Sequence, residues 1–334
     1  MKILIIGNFG FKTNNIGGQT VKTRNLLSLY QQKVGKESID YIDLDKISIL
    51  LIFSLFIKIL KSNEIILVPG KKFLNLFFIP IILITKGKKI SLFAVGGWLG
   101  NFLKDRPIIR KYIAHVNFIY VESESLVTFL GNYNINNVKV FPNFRFHNFV
   151  ENQKIDIGTY DIIFMARITE SKGCNLLFNF IAEFNRILPK NNLTLSFYGP
   201  IDFKYKQSFL EQISLYPNTS YNGVCPPQDV FDVISRYDVC VLPTFYEGEG
   251  FPGTIVDSYI SGVPVVVSDW LNLPEFVDNG KTGLIFSLNE KDSLFKSLMN
   301  LYNNPDLLSE MKRNAKIKSQ EYSSETAWEI IANR

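Results

Sequence analysis

The sequence predicts an α/β protein of two domains, and three observations carry that expectation. The chain has 334 residues, close to two domains of ordinary size. Short apolar runs alternate with longer helix-like ones, the pattern of a parallel sheet covered by helices. One stretch, residues 243–264 (PTFYEGEGFPGTIVDSYISGVP), lays out a glycine-rich loop and a helix between two strands.

That stretch organises the chain. The apolar run 239–242 enters it and the run 265–268 leaves it. Pro252 suits a first helical turn, where its missing N–H has no partner to lose. Gly262 and Pro264 end the helix, because glycine tolerates a left-handed cap and proline cannot continue. The N–H groups of Gly250, Phe251, Gly253 and Thr254 are then expected to face outward at a helix N-terminus, where the dipole favours an anion. Glu249 and Asp257 lie eight residues apart. A carboxylate accepts two sugar hydroxyls, so this pair is spaced to hold two sugar rings around a phosphate. From these residues alone, a solvated acidic loop before a core helix stands equally open.

Glu249, seven residues, then an acid resembles the E-x7-E signature of retaining glycosyltransferases of the GT-B fold, family four in the usual sequence classification. Counting eight from Glu247 reaches Ile255, so only Glu249 has an acidic partner. The resemblance implies that Glu249 contacts the donor sugar and that the second acid holds the ribose. This chain carries Asp257 there, one methylene shorter than Glu. The run 261–286 is also similar to the family's, and 166–173 resembles its G-R-x-x-x-x-KG. Arg167 and Lys172 sit five apart at a strand-to-helix junction, where a planar fork and a point charge reach one phosphate group. The family uses these two to neutralise the diphosphate leaving group.

Composition narrows the classes. Cys174, Cys225 and Cys240 form no CxxC, and His115 and His147 are the two histidines, so a Cys/His metal centre is not expected. Unpaired cysteines fit a reducing cytoplasm. No signal peptide is read at the N-terminus. The apolar stretches 47–60 and 73–85 fall short of the ~18–20 residues that cross a bilayer. They are expected as helices buried against the sheet, with a membrane-touching role as the other reading. Residues 1–150 carry 20 Lys+Arg against 8 Asp+Glu, and the rest 16 against 23. A front half of +12 points to an anionic partner. An anionic membrane surface or a lipid-linked phosphate fits better than nucleic acid, for which no motif is found; a solvated basic face remains open.

Taken in order, residues 2–7 form a first strand. The loop 14–20 follows, and its Gly17 and Gly18 permit close backbone approach. The family resemblance implies that they close over donor phosphates; an ordinary turn is the alternative. The spacing is not GxGxxG, so a dinucleotide site is not expected. Asp43-Leu44-Asp45 is a DxD, a metal-binding signature of the other major glycosyltransferase fold, but the longer matches point to a metal-independent enzyme. Gly96, Gly97 and Trp98 follow a strand where many family members place a His; this chain has none there, and they are read as acceptor-facing, or Trp98 as core. Residues 117–143 resemble the last stretch of the family's first domain, and 145–154 read as linker. Gly199 ends a strand as a candidate wall for the nucleotide base. Gly223 lies where the family reads the base through backbone.

The resemblance implies a GT-B architecture of two Rossmann-like domains facing a cleft. Residues 1–150 are expected to bind acceptor and 155–320 the nucleotide sugar, with 321–334 a helix crossing back. The expected reaction moves a hexose from a nucleotide diphosphate sugar, UDP-linked by family frequency, to a hydroxyl of a lipid-linked or polysaccharide acceptor. No cofactor or metal is expected. The expected site is the cytoplasm, peripheral at the inner membrane face. A nucleotide-sugar 2-epimerase and a silent binding subunit are the rival readings.

Overall fold

The structure, a computed structural model, describes residues 2–13, 17–46, 48–85, 87–147, 158–190 and 192–333. Most of the expected linker 145–154 and residues 14–16 of the first glycine loop lie outside these. The chain divides into two compact units: residues 1–146, 248–252 and 324–334, and residues 147–247 and 253–323.

The first unit is built on strands β1 (Ile3–Gly7), β2 (Ile39–Asp43), β3 (Glu64–Val68), β4 (Lys89–Phe93), β5 (Phe118–Val121) and β6 (Val138–Val140). All pair in parallel, in the order β2-β1-β3-β4-β5-β6. Its connecting helices are α1 (Gly18–Val34), α2 (Ile49–Lys61), α3 (Lys71–Ile84), α4 (Trp98–Lys104), α5 (Pro107–Ile113) and α6 (Glu124–Gly131). Side chains of a strand point alternately to opposite faces. Leu4 and Ile6 accordingly join the core under α2 to α6. Ile3 and Ile5 join the core under α1 and the last helix.

The second unit carries β7 (Tyr160–Met165), α7 (Cys174–Ile187), β8 (Leu193–Tyr198), α8 (Lys206–Leu215), β9 (Thr219–Tyr221), α9 (Val230–Ile234), β10 (Val239–Leu242), α10 (Gly253–Ile260), β11 (Val265–Ser268), β12 (Gly283–Phe286), α11 (Ser293–Asn303) and α12 (Pro305–Lys318). Its strands are also all parallel, ordered β12-β11-β10-β7-β8-β9. The final helix, α13 (Ser324–Ala332), belongs to the first unit. There Ala327 and Ile331 are buried and Trp328 meets Tyr30 edge-on.

One helix departs from expectation. The stretch 47–60 reads as a buried helix, yet α2 buries only Leu55 and Ile59. Ile49, Leu50, Ile52, Phe53, Phe56 and Leu60 are exposed. The reason is topological. α2 leaves the edge strand β2, and one stripe suffices to cover the sheet there, so the opposite side of an all-apolar helix is left outward. No helix among the described residues is long and apolar enough to cross a membrane.

Candidate active site

In an open parallel sheet, ligands bind beyond the carboxyl ends of the strands where the strand order reverses. In the second unit that point lies at β7, which pairs with β10 on one side and β8 on the other. The loops leaving these strands gather there. Arg167 follows β7 and is exposed. A one-turn helix, Glu170–Lys172, leads to Gly173 in the left-handed region (φ 78°) and then α7. A Cβ on Gly173 would lie 1.9 Å from the carbonyl oxygen of Pro243, so only glycine lets the Lys172 loop touch the loop after β10. Hydrogen bonds fix the same contact: Phe245 N–H donates to Ser171 O at 2.8 Å. The Lys172 ammonium then stands 5.3 Å from the Tyr246 ring centroid, a favourable cation–π geometry.

Gly199, ending β8, repeats the device. A Cβ there would meet Ala166 O at 1.9 Å, and its N–H donates to Gly223 O at 2.8 Å. Gly199 and Gly223, far apart in sequence, are thus one wall beside the end of β7. Gly223 has φ +75° but open space at its Cβ position. Helix α10 is tied to this wall by its first turn: Thr254 Oγ1 donates to Met165 O at 2.7 Å. Asp257 is half-buried in the next turn. Burial first, then the charges of Asp229 and Asp257, push the Cys225 thiol up. Arg167, Lys172, Gly199, Gly223, Gly253 and Asp257 therefore all belong to one face of the second unit. It offers two cations, a helix N-terminus and a carboxylate, the complement of a nucleoside diphosphate.

The first unit holds the remaining residues. Segment 248–252 packs on the turn after β4. A Cβ on Gly97 would meet Glu249 O at 2.4 Å, and one on Gly250 would meet Gly96 Cα at 2.5 Å. Glu249 is 7% exposed. Beneath lies a carboxylate that the sequence reading missed. Glu122 Oε2 accepts from Gly96 N–H at 2.8 Å and Phe251 N–H at 3.1 Å. Its Oε1 accepts from Lys22 Nζ at 2.8 Å, and Lys22 also reaches Phe141 O at 3.1 Å. Both partners are buried. Burial pulls the Lys22 ammonium below its ordinary pKa, and Glu122 opposes that shift. Asn143 donates its side-chain N–H to Phe251 O. Nothing in the sequence marks Glu122 beyond its place after a strand; the one available signal was a carboxylate just past an apolar run.

Several expectations are corrected. The helix starts at Gly253, so Pro252 stands just before it. The N–H of Phe251 is spent on Glu122, and Gly250 and Phe251 are buried; they pack the loop and do not face outward. Trp98 opens α4, half-buried, its indole N–H donating to Val95 O and its ring edge-on to Phe102. Gly17 caps α1 through Thr20, whose hydroxyl accepts from Gly17 N–H at 2.8 Å, and Gly18 begins the helix. The DxD is a turn device: Asp43 accepts backbone N–H groups of Phe9, Phe11 and Asp45. His115 lies just past α5, exposed, with Nδ1 at Lys111 O. Cys174 and Cys240 are buried thiols pushed up by desolvation to about 12. No group of three or more His, Cys, Asp or Glu converges among the described residues.

Two six-stranded parallel sheets with this connectivity form the GT-B fold. The Anabaena protein HepE, solved with UDP, superposes with a TM-score of 0.80 at 16% identity, covering 100% of this chain and 99% of that one. Sucrose-phosphate synthase from Thermosynechococcus elongatus gives 0.75 at 13% identity over 100% and 98%. Residues 159–304, within the second unit, match the family model described as Glycosyl transferases group 1. The alpha-monoglucosyldiacylglycerol synthase of Acholeplasma laidlawii is 25% identical over 171 residues, 49% of this chain and 40% of that protein. A glycogen synthase of Mycobacterium tuberculosis is 23% identical over 180 residues, 52% and 41% of the two chains. The chain thus spans about two fifths of the length of these curated relatives.

Proposed function

We propose that the chain is a glycosyltransferase of glycan synthesis, moving a hexose from a nucleotide diphosphate sugar to a hydroxyl with retention of anomeric configuration. The observation that carries this reading is that Arg167 and Lys172 both stand in the loop leaving β7, and that the first turn of α10 is fixed to the end of that strand through Thr254 and Met165. Expelling a diphosphate from an oxocarbenium-like centre needs preorganised positive charge at the leaving group. The guanidinium, the ammonium and the helix N-terminus supply it without a metal. Asp257 is assigned the ribose, Gly199 and Gly223 the base, and Glu249 the donor sugar. The departing phosphate takes the acceptor proton, so no protein base is required. UDP is the favoured carrier, because HepE is solved with UDP and with UDP-glucose. The acceptor is assigned as lipid-linked or a growing polysaccharide, worked on from the cytoplasmic side of an anionic membrane. The diacylglycerol-glucosylating relative and the basic first unit support that choice.

The test is turnover. Purified protein with a UDP-sugar, chelator and a bacterial lipid extract should release UDP and give a product whose anomeric proton coupling matches the donor. Isomerised sugar nucleotide without transfer, or activity abolished by the chelator, would overturn it.

A further inference from the structure

Surface helices carry polar residues on the side away from the core. Helix α2 does not. Its outward positions Ile49, Leu50, Phe53, Phe56 and Leu60 are all apolar, with Ile49 86%, Leu50 81% and Phe53 67% exposed. Of its two lysines, Lys61 is the last residue and Lys58 turns aside to Asp40 Oδ1 at 3.0 Å on β2. Side chains cap both helix ends. Ser48 accepts from Leu51 N–H, and Lys88 Nζ donates to the carbonyls of Ile59, Leu60 and Ser62. Next to α2 lies α3, whose Leu76, Leu83 and Ile84 are exposed as well. The two helices meet at a hollow lined by Leu51, Ile52, Leu55, Phe73 and Phe77. Its volume of about 10 Å³ admits about one water, too little for a partner side chain to enter.

Charge identifies the occupant. Residues 46–111 carry 12 Lys+Arg against 2 Asp+Glu, which is +10 of the front half's +12. Exposed Lys46, Lys61, Lys71 and Lys72 stand at the ends of α2 and at the start of α3. An apolar face bordered by lysines is the complement of acyl chains beneath acidic headgroups. A second copy would instead bring two strongly basic rims together.

We propose that the outer face of α2, with the exposed side of α3, is a docking surface that enters the interface of an acidic phospholipid bilayer. Ile49, Leu50 and Phe53 reach among the acyl chains, and Lys61, Lys71 and Lys72 meet the headgroups. The role given to this docking rests on the proposed lipid-linked acceptor, which it brings to the enzyme in two dimensions.

Flotation with vesicles tests it, using the full chain and monitoring folding by circular dichroism. Wild type should float with phosphatidylcholine vesicles containing phosphatidylglycerol and not with phosphatidylcholine alone. Leu50→Glu with Phe53→Glu should weaken binding by about tenfold or more, as should Lys61→Glu with Lys71→Glu and Lys72→Glu. The shift in melting temperature caused by UDP should be the same in all three proteins. Folded wild type that ignores acidic vesicles, binding that survives both sets of substitutions, or a Phe53→Glu-sensitive dimer in place of vesicle binding would each overturn the docking. Vesicle binding as expected without a response to any sugar nucleotide would leave the docking standing and remove the transferase reading.

Discussion

The two units rest on similar six-stranded parallel sheets yet hold their functional loops by opposite means. In the second unit, backbone meets backbone at glycines: Gly173 against Pro243 O and Gly199 against Ala166 O. In the first, the turn at Gly96 and the segment carrying Glu249 are held by one buried carboxylate that collects Lys22, Gly96 N–H and Phe251 N–H. The first device depends on shape and on the left-handed conformations open to glycine. The second depends on a charge pair that is expensive to bury and strongly destabilising to break.

The largest effect should therefore come from the first unit. Glu122→Ala leaves Lys22 buried without its counter-charge and should cost about 3–5 kcal/mol, read as a fall in denaturant midpoint or melting temperature. Adding Lys22→Met should recover part of this. Recovery should stay incomplete, because the buried Phe251 N–H and the part-buried Gly96 N–H remain without their acceptor, at about 1–3 kcal/mol for the buried one. Full recovery would mean that the carboxylate does not hold the loops.

A smaller effect is expected from Gly173→Ala. The left-handed backbone alone costs roughly 1–2 kcal/mol, and the added Cβ pushes the Lys172 loop off Pro243. Melting should fall by several degrees and nucleotide affinity should fall with it. Gly223→Ala is the control: φ is similarly positive but the space is open, so only the backbone cost should register. Equal effects at the two glycines would refute the close-approach account.

This contrast also explains what was legible in sequence. The second unit's close approaches were legible, because a left-handed turn and backbone packed on backbone need glycine at particular places: Gly173 after Lys172, and Gly199 at the end of β8. Alternation of strand and helix gave the fold for the same reason, since period and turn chemistry are local. Glu122 was not legible. Its function comes from partners about a hundred residues away on both sides, and a strand-end glutamate has no local mark. The outward face of α2 was misread because an apolar helix at a sheet edge and one buried under a second layer have the same composition. Only topology separates them.

The central claim is that the face at the end of β7 binds a nucleoside diphosphate through Arg167 and Lys172. Thermal unfolding with UDP, GDP, ADP and dTDP sugars, chelator present, tests it most directly. A ligand at a hundred times its dissociation constant stabilises by about 2.7 kcal/mol, a shift of several degrees for domains this size. The account predicts such a shift with one nucleotide, UDP first, and a roughly tenfold to hundredfold loss of affinity in Arg167→Ala. No shift with any of the four, or a shift of equal size in Arg167→Ala, would contradict it.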